Sequence, residues 1–160
     1  MTTSYEIRSI DLSDQGIADA SQLLNSVFPW AKWLTPGYLH WEYNLNPLGP
    51  AVGFNAYLDG DLAGHYVVQP IKANLFGTIT KGLLSMNTAT HPNHQRKNLF
   101  TTLAEKTYDA AREEEYEFVI GVANANSTPG FVRRLGFQLV RPLDAKMGLG
   151  QSPDSHSMKI

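Results

Sequence analysis

The stretch HPNHQRKNLFTTLAEKTYDAAREEEYEFVIGVANANSTPGFVRRLGF, residues 91 to 137, decides the fold. It reads as a strand end, a polar turn, an amphipathic helix, a buried strand, an Asn-rich turn and a short helix. From Asn98 to about Glu115, Leu99, Leu103, Thr107, Ala110 and Ala111 share one helical stripe, and the charged residues fall largely elsewhere. Tyr116 to Val122 is a short apolar run after it. Strand, helix and strand in that order predict a right-handed crossover between two parallel neighbours. Gln95, Arg96 and Lys97 stand in the turn before the helix. A helix start carries unpaired N–H groups and partial positive charge, so this turn suits a phosphate. Without a wider frame it is an ordinary solvated turn.

Upstream the pattern changes period. Tyr5 to Ile10 alternates as an edge strand does, and Ile17, Ala20, Leu23, Leu24 and Val27 recur at helical spacing, with Asp14 expected as N-cap. A short aromatic helix follows in YLHWEYNLNP, which Pro47 should end. Ala51–Leu58 and Leu62–Val68 flank Asp59-Gly60-Asp61, a strong hairpin signal. Phe76-Gly77-Thr78 predicts a second tight turn into Ile79–Thr90, the third strand of a meander. Thr128 to Leu135 can form a short helix with Gly136 as its stop, and Phe137 to Leu149 one or two further strand pieces. The expected class is α/β, with an antiparallel meander joined to a strand-helix-strand unit, and 160 residues suit one domain, 1–160.

Composition removes several chemistries. The chain has no cysteine, which excludes disulfides, thiolate metal ligands and an acyl-cysteine route. A formal charge of −2 with interspersed signs supplies no broad field for nucleic acid. No run approaches the roughly 18 apolar residues of a membrane span, and the first ten lack a signal-peptide core, so a cytoplasmic location is expected. His91 and His94 have no carboxylate or thiolate at ligand spacing, so no metal is expected.

Two motifs and the element order resemble the GNAT superfamily of acyl-CoA N-acyltransferases. The family's Arg/Gln-x-x-Gly-x-Gly/Ala turn stands here as Gln95-Arg96-Lys97-Asn98-Leu99-Phe100, with Asn98 and Phe100 in place of glycines. Its Asn, short helix and Leu-Gly-Phe stand as Asn126 and Leu135-Gly136-Phe137. The segments WEYNLNPLGPA and GHYVVQP resemble bacterial members linked to cell-surface polysaccharide synthesis.

The resemblance implies acetyl-CoA as co-substrate, its pantetheine arm lying between splayed strands against backbone near Ala89 and Thr90, with Asn126 in contact. Pyrophosphate would meet Gln95, Arg96, Lys97, Asn98, Leu99 and Phe100. The acceptor would be a small-molecule amine, such as an amino sugar or its nucleotide derivative, bound among the residues that include Trp30, Trp33, Trp41 and Tyr43, which otherwise read as core or lid packing. His65, backed by Glu42, is the expected general base; the blander reading of His65 is a hydrogen-bonded core histidine. Family members often carry a tyrosine acid near the start of the last helix, where this chain has Phe131 and Val132. Pairing of sheet edges into a homodimer is implied by resemblance alone. The opposing possibility is a degenerate module that binds CoA, or nothing, and serves as a sensor or interaction domain.

Overall fold

The computed structural model describes residues 4–124 and 127–140. Among these residues five strands form one sheet in the order β1-β2-β3-β4-β5. β1 (Glu6–Ser9), β2 (Val52–Leu58), β3 (Asp61–Leu75) and β4 (Thr78–Thr90) are antiparallel neighbours, and β5 (Phe118–Gly121) runs parallel to β4. Four α-helices accompany them among the described residues: α1 (Asp14–Val27), α2 (Pro36–Asn44), α3 (Leu99–Glu113) and α4 (Thr128–Arg134). The α/β class and the parallel crossover are as the sequence predicts.

Turn chemistry fixes the meander. Asp59 and Gly60 lie at φ 53° and 93°, and Phe76 and Gly77 repeat those values. Positive φ at both central positions marks the turn whose twist matches the flanking strands. β3 is longer than Leu62–Val68 because it continues past Pro70. Pairing with β2 stops at Val52↔Val68, so among the described residues β3 has no neighbour on that side beyond this point and tolerates a residue without an N–H.

The core divides across the sheet. α1 and α2 cover one face with Ile17, Leu23, Leu24, Leu39 and Tyr43 against Val67 and Ala89. α3 and α4 cover the other with Leu99, Leu103, Ala104 and Phe131 against Ala56, Tyr66, Val68 and Leu83. Complete burial of a leucine such as Leu24 stabilises by about 1.5–3 kcal/mol. The caps refine the sequence boundaries. Ser13, one residue before the expected Asp14, caps α1 by accepting from Gly16 N–H at 3.2 Å. Thr35 caps α2 in the same way, Pro36 occupies its first turn, and the helix ends at Asn44 before Pro47 can act.

Two expectations change. Of the aromatic group, Tyr43 is core, whereas Trp30, Trp33 and Trp41 are 68%, 58% and 59% exposed. Residues 137–140 form no strand, and the rest of the strand expected over 137–149 lies outside the described residues.

Candidate active site

β4 is held on both sides for only part of its length. Gly82, Leu83, Leu84 and Ser85 pair with Phe118, Val119, Ile120 and Gly121, and there the β4–β5 ladder ends. β4 continues to Thr90, and among the described residues no strand pairs with this last stretch on its β5 side. Ala89 and Thr90 lie in this stretch, paired on the other side with His65 and Gly64. The β3–β4 register jumps between His65 and Val67, so Asn87 and Thr88 together oppose Tyr66. This is a β-bulge, and Asn87 within it has φ 45°.

The polar turn follows β4 directly. His91 N–H donates to Ala63 O at 2.9 Å, and a 3-10 turn at Pro92–His94 leads towards α3. Tyr5 of the first strand's approach meets it, its hydroxyl 2.9 Å from His94 Nδ1. Arg96 and Asn98 are both left-handed, at φ 61° and 64°. Thr102 donates the first ladder bond, to Asn98 O, which leaves the N–H groups of Asn98, Leu99, Phe100 and Thr101 ahead of the helix. Gln95, Arg96, Lys97 and Asn98 are exposed around them. Asparagine adopts the left-handed conformation more readily than other residues with side chains, which explains how Asn98 stands where glycine is usual. Its side chain turns aside, accepting from Arg134 Nη1 at 2.7 Å. Phe100 also turns away from the amides. Its ring meets Phe131 at 5.1 Å and Tyr66 at 5.9 Å, and a Cβ at Gly130 would come within 3.0 Å of it. Leu99 is buried. The turn therefore offers main-chain donors and cationic side chains together, as an anionic pyrophosphate requires.

Glu42 comes to the bulge from the opposite face. Its Oε2 accepts from Asn87 Nδ2 at 2.6 Å and its Oε1 from the Tyr38 hydroxyl at 3.1 Å. Gln69 Nε2 binds the Glu42 carbonyl at 2.6 Å and so ties this turn of α2 to β3. The carboxyl is half-buried, and its pKa is raised because desolvation outweighs the two hydrogen bonds that lower it. A cleft of about 480 Å³ adjoins it, lined by Trp41, Glu42, Leu45, Leu48, Gln69 and Lys72 among others.

His65 does not share that setting, and the expectation that it faces the acceptor cleft is corrected. It is 1% exposed, with Nδ1 2.7 Å from Asn55 Oδ1 and Nε2 3.1 Å from the Tyr43 hydroxyl. Asn55 Oδ1 can only accept, so Nδ1 carries the proton and Nε2 accepts from Tyr43. Neither nitrogen is left for an incoming amine. Burial holds the imidazole pKa down to about 4 and pushes the Tyr43 hydroxyl up, so both are neutral. The pair instead seats α2, and with it Glu42, on the sheet.

Asn124 Oδ1 accepts from Ser127 N–H at 3.0 Å, an Asx turn opening α4. Asn126 lies outside the described residues. Gly136, at φ 69°, closes α4 as the sequence predicts. Phe131, in the region where a tyrosine acid would be sought, is buried against Phe100 and Phe137. Among the described residues, no three His, Cys, Asp or Glu side chains group to hold a metal, and no helix is long and apolar enough to cross a membrane.

Residues 6–140 match the profile of the acetyltransferase (GNAT) domain. The chain belongs to the GNAT acetyltransferase family. Solved GNAT structures share its fold at low identity. Glucosamine-6-phosphate N-acetyltransferase from Arabidopsis thaliana is 14% identical, with a TM-score of 0.64 over 92% of this chain and 99% of that one. An aminoglycoside acetyltransferase from an uncultured soil metagenomic sample, in complex with sisomicin, is also 14% identical, at 0.68 over 92% and 97%. A Trypanosoma brucei acetyltransferase is 15% identical, at 0.65 over 92% and 100%. No curated protein sequence matches the chain. GNAT acetyltransferases in general use acetyl-CoA.

Asn87, Tyr38 and Arg134 were not singled out by the sequence reading. Asn87 carried a signal nevertheless: an asparagine between Met86 and Thr88 is a poor strand former inside a strand.

Proposed function

We propose that this GNAT protein is an N-acetyltransferase that moves the acetyl group of acetyl-CoA directly to a primary amine of a small molecule, within a ternary complex. The observation that carries the reading is the Glu42 carboxylate at the β4 bulge, beside the point where β4 and β5 part. Acetyl-CoA supplies an activated thioester. Main-chain groups near Ala89 and Thr90 would orient it, and Arg96, Lys97 and the first amides of α3 would take its pyrophosphate. An alkyl amine with a pKa near 10.4 is neutral only about once in 10³ to 10⁴ molecules at pH 7, so a proton must be removed. Glu42 is the base, and its raised pKa makes it a better one than a free glutamate. Glu42 takes one proton from the ammonium group, the neutral amine attacks, the C–N bond forms as the C–S bond breaks, and the second N–H proton passes through water to the departing thiolate. A thiol titrates near 8.5 by analogy with cysteine, which makes CoA a tolerable leaving group without a tyrosine at Phe131.

The acceptor we favour is an amino sugar or a nucleotide-linked amino sugar. Supporting this, the fold neighbours include enzymes described as acting on glucosamine-6-phosphate and on aminoglycosides. Exposed Trp41 and Lys72 at the cleft beside Glu42 offer a stacking face and a cation for such a ligand.

Thiol release from acetyl-CoA in the presence of an amine library tests the proposal. Wild type should turn over at least one amine, and Glu42→Gln should lose about 10² to 10⁴ in kcat/KM with acetyl-CoA binding retained. Absence of both CoA binding at millimolar protein and thiol release would overturn it. Binding without release would favour a sensor or interaction module.

A further inference from the structure

Asn87 is the residue least expected in the middle of β4, and it does two things there. Its left-handed backbone belongs to the bulge in which Asn87 and Thr88 together face Tyr66. The bulge lies past Ser85↔Gly121, on the part of β4 that β5 no longer covers. The same conformation sends the side chain to α2, where Nδ2 donates to Glu42 Oε2 at 2.6 Å. Glycine would satisfy φ 45° equally well but bring no donor. Asparagine supplies both.

We propose that Asn87 is a positioning residue which fixes the Glu42 carboxylate against the β4 bulge, so that the proton acceptor and the main chain facing the acyl donor move as one unit. The inference rests on the acetyltransfer reading of this site. A purely structural role, tacking α2 to the sheet, is already served by Gln69 on the Glu42 carbonyl and by His65 on Tyr43. Those contacts do not touch the carboxylate; the Tyr38 hydroxyl holds Oε1 from within α2, and among the described residues Asn87 alone ties Oε2 to the sheet. The groups facing Glu42 are Tyr38 and Tyr43 from α2, Asn87 from β4 and Gln69 from β3, with neutral His65 behind Tyr43 and the exposed cation Lys72 of β3 lining the same cleft. Burial and the bonds from Tyr38 and Asn87 set its titration.

Two variants separate the roles. Asn87→Gly keeps the left-handed backbone and removes the amide; Asn87→Asp keeps the shape and sets a second carboxyl against the first. The Glu42 carboxyl is followed by ¹³C NMR of glutamate-labelled protein, assigned with Glu42→Gln, and needs no substrate. Loss of one charge-assisted hydrogen bond should move its midpoint up by about one pH unit in Asn87→Gly. Like-charge repulsion should move it further in Asn87→Asp. The ascending limb of kcat/KM should follow by the same amount, with KM for acetyl-CoA changed less than twofold. A folded Asn87→Gly protein whose Glu42 midpoint stays in place overturns the inference, and so does a limb that stays in place while the midpoint moves. A wild-type protein that releases no thiol with any amine sinks the acetyltransfer reading instead, whatever the midpoints show.

Discussion

The buried imidazole of His65 makes stability itself a readout of this site. Its pKa falls from an ordinary 6.5 to about 4 on folding, because burial disfavours the cation. Above pH 6.5 both folded and unfolded chains hold a neutral ring, and the group contributes no pH dependence. Below that the unfolded chain takes up a proton that the core refuses, so stability is lost as pH falls towards 4 and the loss then levels off. At 1.36 kcal/mol per unit, a gap from 6.5 to about 4 amounts to about 3 kcal/mol. That is a large share of the about 5–15 kcal/mol by which a domain is stable. Other groups titrate in the same window, including Glu42, whose raised pKa acts in the opposite direction, with stability present at low pH and lost as pH rises. The comparison must therefore be differential. Urea unfolding followed by far-UV circular dichroism at pH 7 and pH 4 should show wild type losing about 3 kcal/mol more than His65→Gln. Glutamine can still donate to Asn55 and accept from Tyr43. Equal losses in the two proteins would mean that the native core accepts the proton, and the neutral Tyr43–His65–Asn55 chain would be wrong.

Other expectations follow from the turn and the sheet. Arg96→Ala should weaken acetyl-CoA binding severalfold by isothermal titration, and the deficit should shrink as salt is added, because an exposed cation acts through a screened field. Asn98→Gly should bind acetyl-CoA as tightly as wild type, since the side chain is engaged by Arg134 and glycine keeps the left-handed backbone; a tenfold loss would show that the side-chain amide itself binds. Gly82→Ala would place a Cβ 2.1 Å from Phe118 Cζ and should cost about 1–3 kcal/mol in chemical unfolding. Gly121→Ala meets nothing closer than 3.6 Å, at Ser85 Cβ, and should change stability by less than about 0.5 kcal/mol in the same assay.

Features carried by local rules were legible in the sequence. The Asp59-Gly60 and Phe76-Gly77 turns, the α3 stripe and the strand after it depend on periodicity and on residues that accept positive φ, and all stand where the pattern put them. The side chains that decide chemistry depend on contacts between distant segments. Asn87 reaches Glu42 across 45 positions and Tyr43 reaches His65 across 22. No spacing rule encodes such pairs. His65 shows the cost: following Gly64 in a strand, its side could be guessed but its burial could not, because burial depends on α2 docking over it. Arg134 and Asn98 meet over 36 positions for the same reason, although each sits in a motif that was recognised. The boundary of β3 failed differently. Proline argues against a strand interior, and only the early end of β2 makes Pro70 acceptable.

The short β4–β5 ladder also sets an order of assembly. β2, β3 and β4 are joined by two-residue turns, so their pairing closes small loops and can form within microseconds. Four residues of β5 must instead find β4 after the whole of α3 has crossed the sheet, a longer closure bought by fewer bonds. The half of the sheet that seats Glu42 can therefore stand before its parallel partner docks. Any subglobal opening of the native protein should retrace that order, releasing β5 first and leaving the meander intact.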